Sequence, residues 1–172
     1  MYIYKQLAEV IVSLTIFLKI NVPTKKKQKI PISVDKAWEF FSNPENLGLI
    51  TPTSMKFKIL SRSDAGDMYP GMIITYRLSP LFKMQVKWTT EITQVKEKVY
   101  FIDNQIKGPY KIWHHEHRFK SINQGIEMED ILYYNLSWGI FGRFAHQSFI
   151  RQKVHEIFNF RAKKIKELFG TI

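Results

Sequence analysis

The sequence predicts an α+β domain in which an antiparallel sheet of about seven strands is followed by one long C-terminal helix. Apolar and polar residues alternate in consecutive segments from Met55 onward, which is the pattern of strands with one buried face. Short turn sequences separate these segments, so neighbouring strands are expected to be antiparallel. After Gly142 the apolar residues recur at the helical period, which predicts the terminal helix.

The chain is long and apolar enough for one domain with a sizeable core. It has 172 residues, of which 45% are hydrophobic and 15% aromatic, and this composition argues against disorder. It contains no cysteine, which excludes disulfide bonds and thiolate metal ligands and suits a reducing compartment. We therefore expect a cytoplasmic protein.

The protein is strongly basic, with a formal net charge of +11 and a pI near 9.7. A positive surface attracts anionic partners such as lipid headgroups or nucleic acid. Part of the charge is a lysine cluster, formed by Lys25, Lys26, Lys27 and Lys29. Solvated faces of a basic protein are an equally good interpretation of this cluster. No nucleic-acid motif or aromatic platform accompanies the charge, so we expect no nucleic-acid partner.

An apolar run at residues 7–18 precedes the predicted domain. It is shorter than the roughly 20 residues of a spanning helix, and the residues before Pro23 do not form the small-residue cleavage site of a signal peptide. Three interpretations remain: an accessory helix docked on the domain, which we favour, a shallow membrane anchor backed by the lysine cluster, or a leader outside the fold. We therefore divide the chain into a leader or accessory helix at 1–22 and one domain at 23–170.

The domain is predicted to open with a strand and two short helices. The strand spans 25–32, and Pro23 and Pro31 confine it to a sheet edge or to strand ends. Ser33 suits the N-cap of the first helix, and Asn43-Pro44 ends that helix before a second one at 45–50.

The remaining strands and the terminal helix follow in order. The strands are predicted at 55–61, 72–78, 84–95, 99–106, 110–122 and 126–138. The helix is predicted over 144–169, where it would run roughly 39 Å at about 1.5 Å per residue and cross the whole sheet. Gly170 is well placed to end it.

The turn between the last two strands predicts which residues face each other. A two-residue turn at Asn123-Gln124 pairs His117 with Asp130, whereas a three-residue turn would pair Arg118 with Asp130 and mix charges into the apolar face, so we prefer the first. The same matching at the Gly108-Pro109 turn brings Asp103 near His115. The inner surface is then predicted to present Asp103, Gln105, His115, His117 and Asp130 among the aromatic side chains of Trp88, Trp113, Phe119 and Tyr134.

This polar group has three further interpretations besides a network that fixes strand register. It is suited to orient a carbonyl or hydroxyl group of a ligand in an apolar pocket. His117, oriented by Asp130, is also suited to general acid–base catalysis. A zinc site at His114, His115 and His117, which Asp130 could complete, is disfavoured, because His114 lies on the other face of its strand and no cysteine assists. We therefore expect neither a metal nor a cofactor.

The order of elements resembles the START-like, birch-pollen-allergen-like superfamily, also called SRPBCC, of the polyketide cyclase and coenzyme Q-binding kind. The resemblance covers roughly residues 25–169 and is carried by IPISVDKAWEFFSNPENL, YPGMIITYRLSP, KWTTEI, the stretch 103–119 and MEDILYYNL. It implies a helix-grip fold, in which a curved sheet wraps around the terminal helix and leaves a cavity for an apolar or aromatic molecule. Residues 23–170 would then be a START-like ligand-binding domain.

Because that superfamily includes lipid carriers, hormone receptors, aromatases and cyclases, the resemblance alone does not fix the function. We favour non-catalytic binding or transport of a lipid, quinone or polyketide-like molecule. An enzyme of the cyclase, aromatase or hydrolase kind and a lipid-handling protein at an anionic membrane surface remain as alternatives. The oligomeric state stays open. The expected ligand-binding residues are Trp88, Asp103, Gln105, Trp113, His115, His117, Tyr134, Ile150, Val154 and Phe158.

Overall fold

The computed structural model describes residues 23–65, 67–81, 84–136 and 147–172. The predicted leader at 1–22 lies outside the described residues, as do the last predicted residues of the final strand and the first of the terminal helix. No helix in the described part of the chain combines the length and apolarity needed to span a bilayer.

Each element predicted at 25–169 has a counterpart among the described residues, with shifts of a few residues at its ends. One further 3-10 helix, at Thr53–Met55, was not predicted. In chain order the elements are β1 (Thr24–Ile30), α1 (Val34–Phe41), a 3-10 helix (Pro44–Ile50), the additional 3-10 helix, β2 (Lys58–Arg62), β3 (Ile73–Leu81), β4 (Met84–Lys96), β5 (Tyr100–Lys107), β6 (Tyr110–Ile122), β7 (Gly125–Leu136) and α2 (Gln147–Phe169).

The seven strands form one antiparallel sheet in the order β1-β7-β6-β5-β4-β3-β2. β1 is an edge strand, as its flanking prolines predicted. Register shifts interrupt the β2–β3, β3–β4, β4–β5 and β6–β7 pairings. Such bulges bend strands and increase their twist, which curves the sheet around α2. The α+β fold class and the helix-grip arrangement are therefore confirmed.

The register of the β6–β7 hairpin is the one that the two-residue turn predicted. His117 pairs with Asp130, and Ile122 pairs with Gly125. Gly125 has a positive φ of 147°, and a Cβ atom there would collide with the backbone of Ile30 in β1. Glycine therefore allows β7 to begin directly after the turn, where the end of β1 lies close to its backbone.

Helix α1 is fixed at its start and along its buried face. The Ser33 side chain accepts a hydrogen bond from the Lys36 backbone N–H at 3.2 Å, so it is the N-cap that the sequence predicted. Trp38 packs edge-on against Phe101 and Phe119, with ring centroids 6.1 and 5.9 Å apart. These contacts hold α1 against the sheet.

The buried apolar side chains form two clusters. The α1 cluster comprises Ile30, Ile32, Ala37, Ile50, Phe101, Phe119, Ile126, Met128 and Ile165. The Trp88 cluster comprises Met55, Met72, Ile74, Tyr76, Leu78, Trp88, Ile92, Tyr110, Leu132, Ile150, Val154 and Phe158. Helix α2 contributes to both, since Phe158 belongs to the Trp88 cluster and Ile165 to the α1 cluster. The helix therefore covers the inner face of the sheet from one cluster to the other.

Candidate functional site

Four titratable side chains from the central strands meet on the inner face of the sheet, and we call them the His–Asp cluster. They are Asp103 of β5, His115 and His117 of β6, and Asp130 of β7. Asp130 Oδ1 lies 2.7 Å from His117 Nδ1 and 3.4 Å from His115 Nε2. Asp103 Oδ2 lies 3.1 Å from His117 Nε2 and 3.8 Å from His115 Nδ1. Each carboxylate therefore faces one nitrogen of each imidazole ring.

Strand geometry explains why these side chains converge. His115 and His117 are two residues apart on one strand, so both point to the same face. Asp103 is directly opposite His115, and Asp130 is directly opposite His117. The histidine rings are 3.9 Å apart between centroids, and Phe101 stacks on His117 at 4.3 Å.

Within the described residues, one of the four nitrogen–oxygen approaches is aligned as a hydrogen bond, that of His117 Nε2 to Asp103. His115 Nε2, His117 Nδ1 and Asp130 Oδ1 have no aligned partner in the described part of the chain. A neutral imidazole carries one N–H, so two neutral rings offer two protons to four approaches. The arrangement therefore favours additional positive charge between the rings and the carboxylates.

Burial and mutual charge shift the pKa values of the whole group. Burial disfavours the imidazolium form of His117, but its contacts with Asp103 and Asp130 outweigh burial and raise its pKa. Burial and the neighbouring charge of His117 lower the pKa of His115. Burial opposes ionisation of Asp103 and Asp130, yet the two histidines lower the pKa of each carboxyl group. Both carboxyl groups are therefore ionised at neutral pH.

A cavity of about 130 Å³ lies beside this cluster, between the sheet, α1, the 3-10 helix Pro44–Ile50 and α2. Asp103, His115 and His117 line it, whereas Asp130 is not among its lining residues. The other lining residues are Phe40, Phe41, Asn43, Pro44, Asn46, Leu47, Ile50, Phe57, Ile59, Met68, Ile74, Tyr76, Thr90, Ile92, Phe101, Trp113 and Arg161. The cavity is therefore mainly apolar, with titratable groups on one wall.

Arg161 of α2 also lines the cavity. Its guanidinium lies 5.8 Å from the centre of the Phe158 ring. Its Nε is buried and has no hydrogen-bond partner among the described residues. The positive charge of Arg161 also contributes to lowering the pKa of Asp103, after the histidines. A buried donor without an acceptor is costly, so this nitrogen is suited to receive an acceptor atom of a ligand.

The structure places the ten predicted ligand-binding residues in three different surroundings. Four of them line the cavity: Asp103, Trp113, His115 and His117. Another five pack in or against the Trp88 cluster, namely Trp88, Tyr134, Ile150, Val154 and Phe158. Gln105 instead closes the β5–β6 hairpin, where its side chain donates to the Tyr110 carbonyl at 2.6 Å and accepts from the Tyr110 N–H at 3.3 Å.

Several residues of the cavity wall were missed as site residues. Tyr76 and Thr90 form a buried hydroxyl–hydroxyl hydrogen bond of 2.7 Å, and alternation along β4 could have placed Thr90 inward beside Trp88. Arg161 lies three residues after Phe158 and four before Ile165, so it shares their face of α2. The sequence signal that could have identified Arg161 as a site residue is a charged side chain within the apolar face of the terminal helix.

The lysine cluster lies on the edge strand β1. Lys27 forms ion pairs with Glu127 at 3.3 Å and Glu129 at 3.8 Å, while Lys26 donates to the Asn159 side chain at 3.2 Å. Lysines on an edge strand also prevent pairing with the edges of other sheets. Contact with an anionic membrane through this strand stays a prediction.

Comparison with known proteins supports the fold. No protein-family model matches the sequence, and no curated protein matches it. A START superfamily protein from Mycobacterium smegmatis is 12% identical, with a TM-score of 0.63 over 86% of this chain and 96% of that chain. Ara h 8.0201 is 9% identical, with a TM-score of 0.57 over 86% of this chain and 99% of that chain.

A third similar structure is the di-domain ARO/CYC StfQ from the steffimycin biosynthetic pathway. It is 9% identical, with a TM-score of 0.68 over 86% of this chain and 50% of that chain. The fold that the resemblance implied is therefore the fold of this chain. At such low identities the likeness concerns the backbone arrangement, and the chemistry of the site has to be inferred from its own residues.

Proposed function

We propose that this protein binds a small aromatic or apolar molecule carrying one polar, preferably anionic, end, and that it does so without converting that molecule. The observation that carries the proposal is the composition of the cavity wall. Apolar side chains surround most of the space, while Asp103, the two histidines and Arg161 also line it, and Arg161 is near enough to Asp103 to help lower its pKa. This combination is typical of small-molecule sites, in which apolar contacts provide affinity and a few polar groups fix orientation.

The volume of the cavity limits the size of the molecule. A dry apolar cavity of about 150 Å³ holds benzene, whereas drug-sized ligands occupy about 300–1,000 Å³. The cavity of about 130 Å³ therefore suits a molecule with one aromatic ring. A lipid, quinone or polyketide-like ligand requires the walls to move apart.

Arg161 supports an anionic end for the ligand. Its buried Nε has no acceptor among the described residues, and a carboxylate or phenolate oxygen would supply one. Asp103 would repel an anion placed against it, so we expect the anionic group to lie on the Arg161 side of the polar wall. The START superfamily protein and the ARO/CYC protein share the fold that creates this space between sheet and helix.

A calorimetric titration with benzoate and toluene tests the proposal. The wild-type protein should bind both, with higher affinity for benzoate. Arg161→Met retains an unbranched apolar side chain and removes the donors, so benzoate affinity should fall at least about tenfold while toluene affinity stays within about twofold.

Lys164→Met is the matched control, because the Lys164 side chain on α2 is half-buried, pairs with Glu167 at 2.9 Å and does not line the cavity. It should bind both compounds as the wild type does. The proposal fails if neither compound binds to the folded wild-type protein. It also fails if Arg161→Met and Lys164→Met weaken benzoate binding equally, because the loss would then reflect the lower net positive charge of the protein and not a contact with Arg161. Consumption of either compound would contradict the non-catalytic part.

A further inference from the structure

We propose that Asp103, His115 and His117 bind one divalent transition-metal ion, and that Asp130 holds the two histidines in position from behind. This inference goes beyond the proposed function and does not depend on it, because the donor atoms belong to the protein alone. It also departs from the sequence-based expectation that no metal is bound.

The donor atoms are already close to the spacing that a metal requires. Ligand atoms at about 2.1 Å from one ion lie roughly 3.0–3.4 Å from each other. Asp103 Oδ2 is 3.1 Å from His117 Nε2 and 3.8 Å from His115 Nδ1, and the three donor atoms lie within 4.8 Å of one another. Side-chain shifts of about an ångström would complete the set, without movement of the strands.

The other nitrogen of each ring faces a second carboxylate. His117 Nδ1 and His115 Nε2 lie 2.7 and 3.4 Å from Asp130 Oδ1, and a small rotation of each ring would align both as hydrogen bonds. Metal-bound histidines in proteins almost always donate their second N–H to a carboxylate, a carbonyl or water, and this bond fixes the tautomer. Once both N–H groups donate to Asp130, the lone pairs of His117 Nε2 and His115 Nδ1 are left for an ion on the Asp103 side.

A metal ion also accounts for the shortage of protons in the cluster. Two neutral imidazoles have two N–H groups for four approaches to carboxylate oxygens. If both protons serve Asp130, the two nitrogens near Asp103 present lone pairs to a negatively charged oxygen, which is repulsive. A divalent cation among these three atoms converts the repulsion into coordination.

The position of the cavity leaves the metal accessible. The three proposed ligands line the cavity, whereas Asp130 is not among the residues that do. This arrangement is expected if the three cavity-lining residues bind the ion and Asp130 positions the histidines from behind. Three protein ligands leave at least one coordination position open toward the cavity, where water or an oxygen of a bound molecule fits.

The donor set limits the choice of ion. Two imidazoles and one carboxylate suit zinc and other first-row divalent metals, and the absence of thiolates disfavours softer ions. We therefore use Zn²⁺ and Co²⁺ as probes, since Zn²⁺ gives a calorimetric signal and Co²⁺ adds visible absorption bands that report coordination.

The experiment is a titration of chelator-treated, dialysed full-length protein with each ion. We expect one ion per chain, with the ring signals of His115 and His117 shifting in NMR spectra of histidine-labelled protein while those of His114 stay in place. His114 is on the opposite face of β6, where its Nδ1 lies 2.7 Å from the Asn104 side-chain oxygen.

Three variants separate the roles of the residues. Asp103→Asn should weaken Zn²⁺ binding by more than about 100-fold, because it removes a ligand. Asp130→Asn should weaken it by about 10–100-fold, as expected for a residue that supports ligands without touching the ion. His114→Ala is the control and should bind as the wild type does. Circular dichroism shows whether each variant is folded.

The inference is overturned if the wild-type protein binds no Zn²⁺ or Co²⁺, or if His114→Ala loses binding while Asp103→Asn keeps it. Should the Asp103 and Asp130 variants fail to fold, the ring signals of the wild-type protein decide alone, because they identify the coordinating histidines directly. Benzoate binding by metal-free protein is measured separately, so failure of this inference and failure of the proposed function are distinguishable.

Discussion

The α1 cluster and the His–Asp cluster lie side by side on the same sheet and are built on opposite principles. Every buried member of the α1 cluster is apolar, and Trp38 packs edge-on against two of its rings, Phe101 and Phe119. The His–Asp cluster contains three atoms without an aligned hydrogen-bond partner among the described residues. The α1 cluster gains stability from apolar packing. The His–Asp cluster buries polar groups, which costs free energy of folding that an apolar cluster in its place would not. The comparison indicates that stability and recognition are assigned to different parts of the sheet.

Truncating the α1 cluster should have the largest effect on stability. Phe119→Ala removes a ring that is 5% exposed and packs against Trp38 and Phe41, so the free energy of unfolding should fall by about 3–5 kcal/mol. Urea unfolding followed by tryptophan fluorescence measures it. Leu168→Ala, at a residue that is 43% exposed, is the control and should change stability by less than about 1 kcal/mol. Equal losses in the two variants would contradict the assignment of the α1 cluster as the packing region.

The close approach of β1 to the β6–β7 hairpin should be the next most sensitive feature. Gly125→Ala should lower the free energy of unfolding by about 3 kcal/mol, because the positive φ disfavours alanine and the added methyl group would collide with Ile30. Gly71 also has a positive φ, of 95°, but a Cβ atom there would have no neighbour within 4 Å. Gly71→Ala should therefore cost about 1–2 kcal/mol. A larger loss at Gly71 than at Gly125 would show that the crossing of β1 is not a tight constraint.

Addition of a metal ion should stabilise the folded protein through the His–Asp cluster. At a free Zn²⁺ concentration about 100 times the dissociation constant, the free energy of unfolding should rise by about 2.7 kcal/mol, since the folded state alone has the assembled site. Thermal unfolding with and without Zn²⁺ measures the gain. Asp103→Asn should lose it, whereas Phe119→Ala should retain it if the two regions are independent. An increase of the same size in Asp103→Asn would assign the effect to another site.

The smallest expected effect concerns the start of α1. Ser33→Ala removes the acceptor for the Lys36 N–H, and the free energy of unfolding should fall by about 1 kcal/mol. Ser33→Asp restores an acceptor at the N-cap and should recover most of the loss. Chemical denaturation of the three proteins under identical conditions gives the comparison. A variant with alanine that is as stable as the wild type would show that ring packing alone holds α1.

The register of the sheet could be predicted because strand alternation and turn length are local properties. A two-residue turn at Asn123-Gln124 was sufficient to place His117 opposite Asp130, and the apolar pattern excluded the alternative pairing. The same reasoning placed Asp103 opposite His115. Most of the His–Asp cluster therefore followed from the sequence.

The rest of the site depended on geometry that no local pattern encodes. Gln105 faces the end of its hairpin and satisfies the backbone of Tyr110, a role set by the shape of the turn. Arg161 reaches the site from a helix more than 40 residues away along the chain from His117. Its place depends on how α2 is rotated and shifted on the sheet. The metal interpretation was set aside because His114 faces away from the other two histidines, no cysteine assists and the resemblance implies no metal. The carboxylate weighed then was Asp130 of β7, whereas the set proposed above uses Asp103 of β5.

Helix α2 acts as a rod that rests on two supports, with Arg161 between them. Phe158 is fixed in the Trp88 cluster and Ile165 in the α1 cluster. A ligand that binds the Arg161 guanidinium would therefore hold the helix more tightly against both clusters. Filling the cavity would therefore slow hydrogen exchange of backbone amides along this helix, including those far from the bound molecule. The segment would serve as an intrinsic sensor of occupancy, which deuterium uptake can follow even when the bound molecule is invisible to spectroscopy.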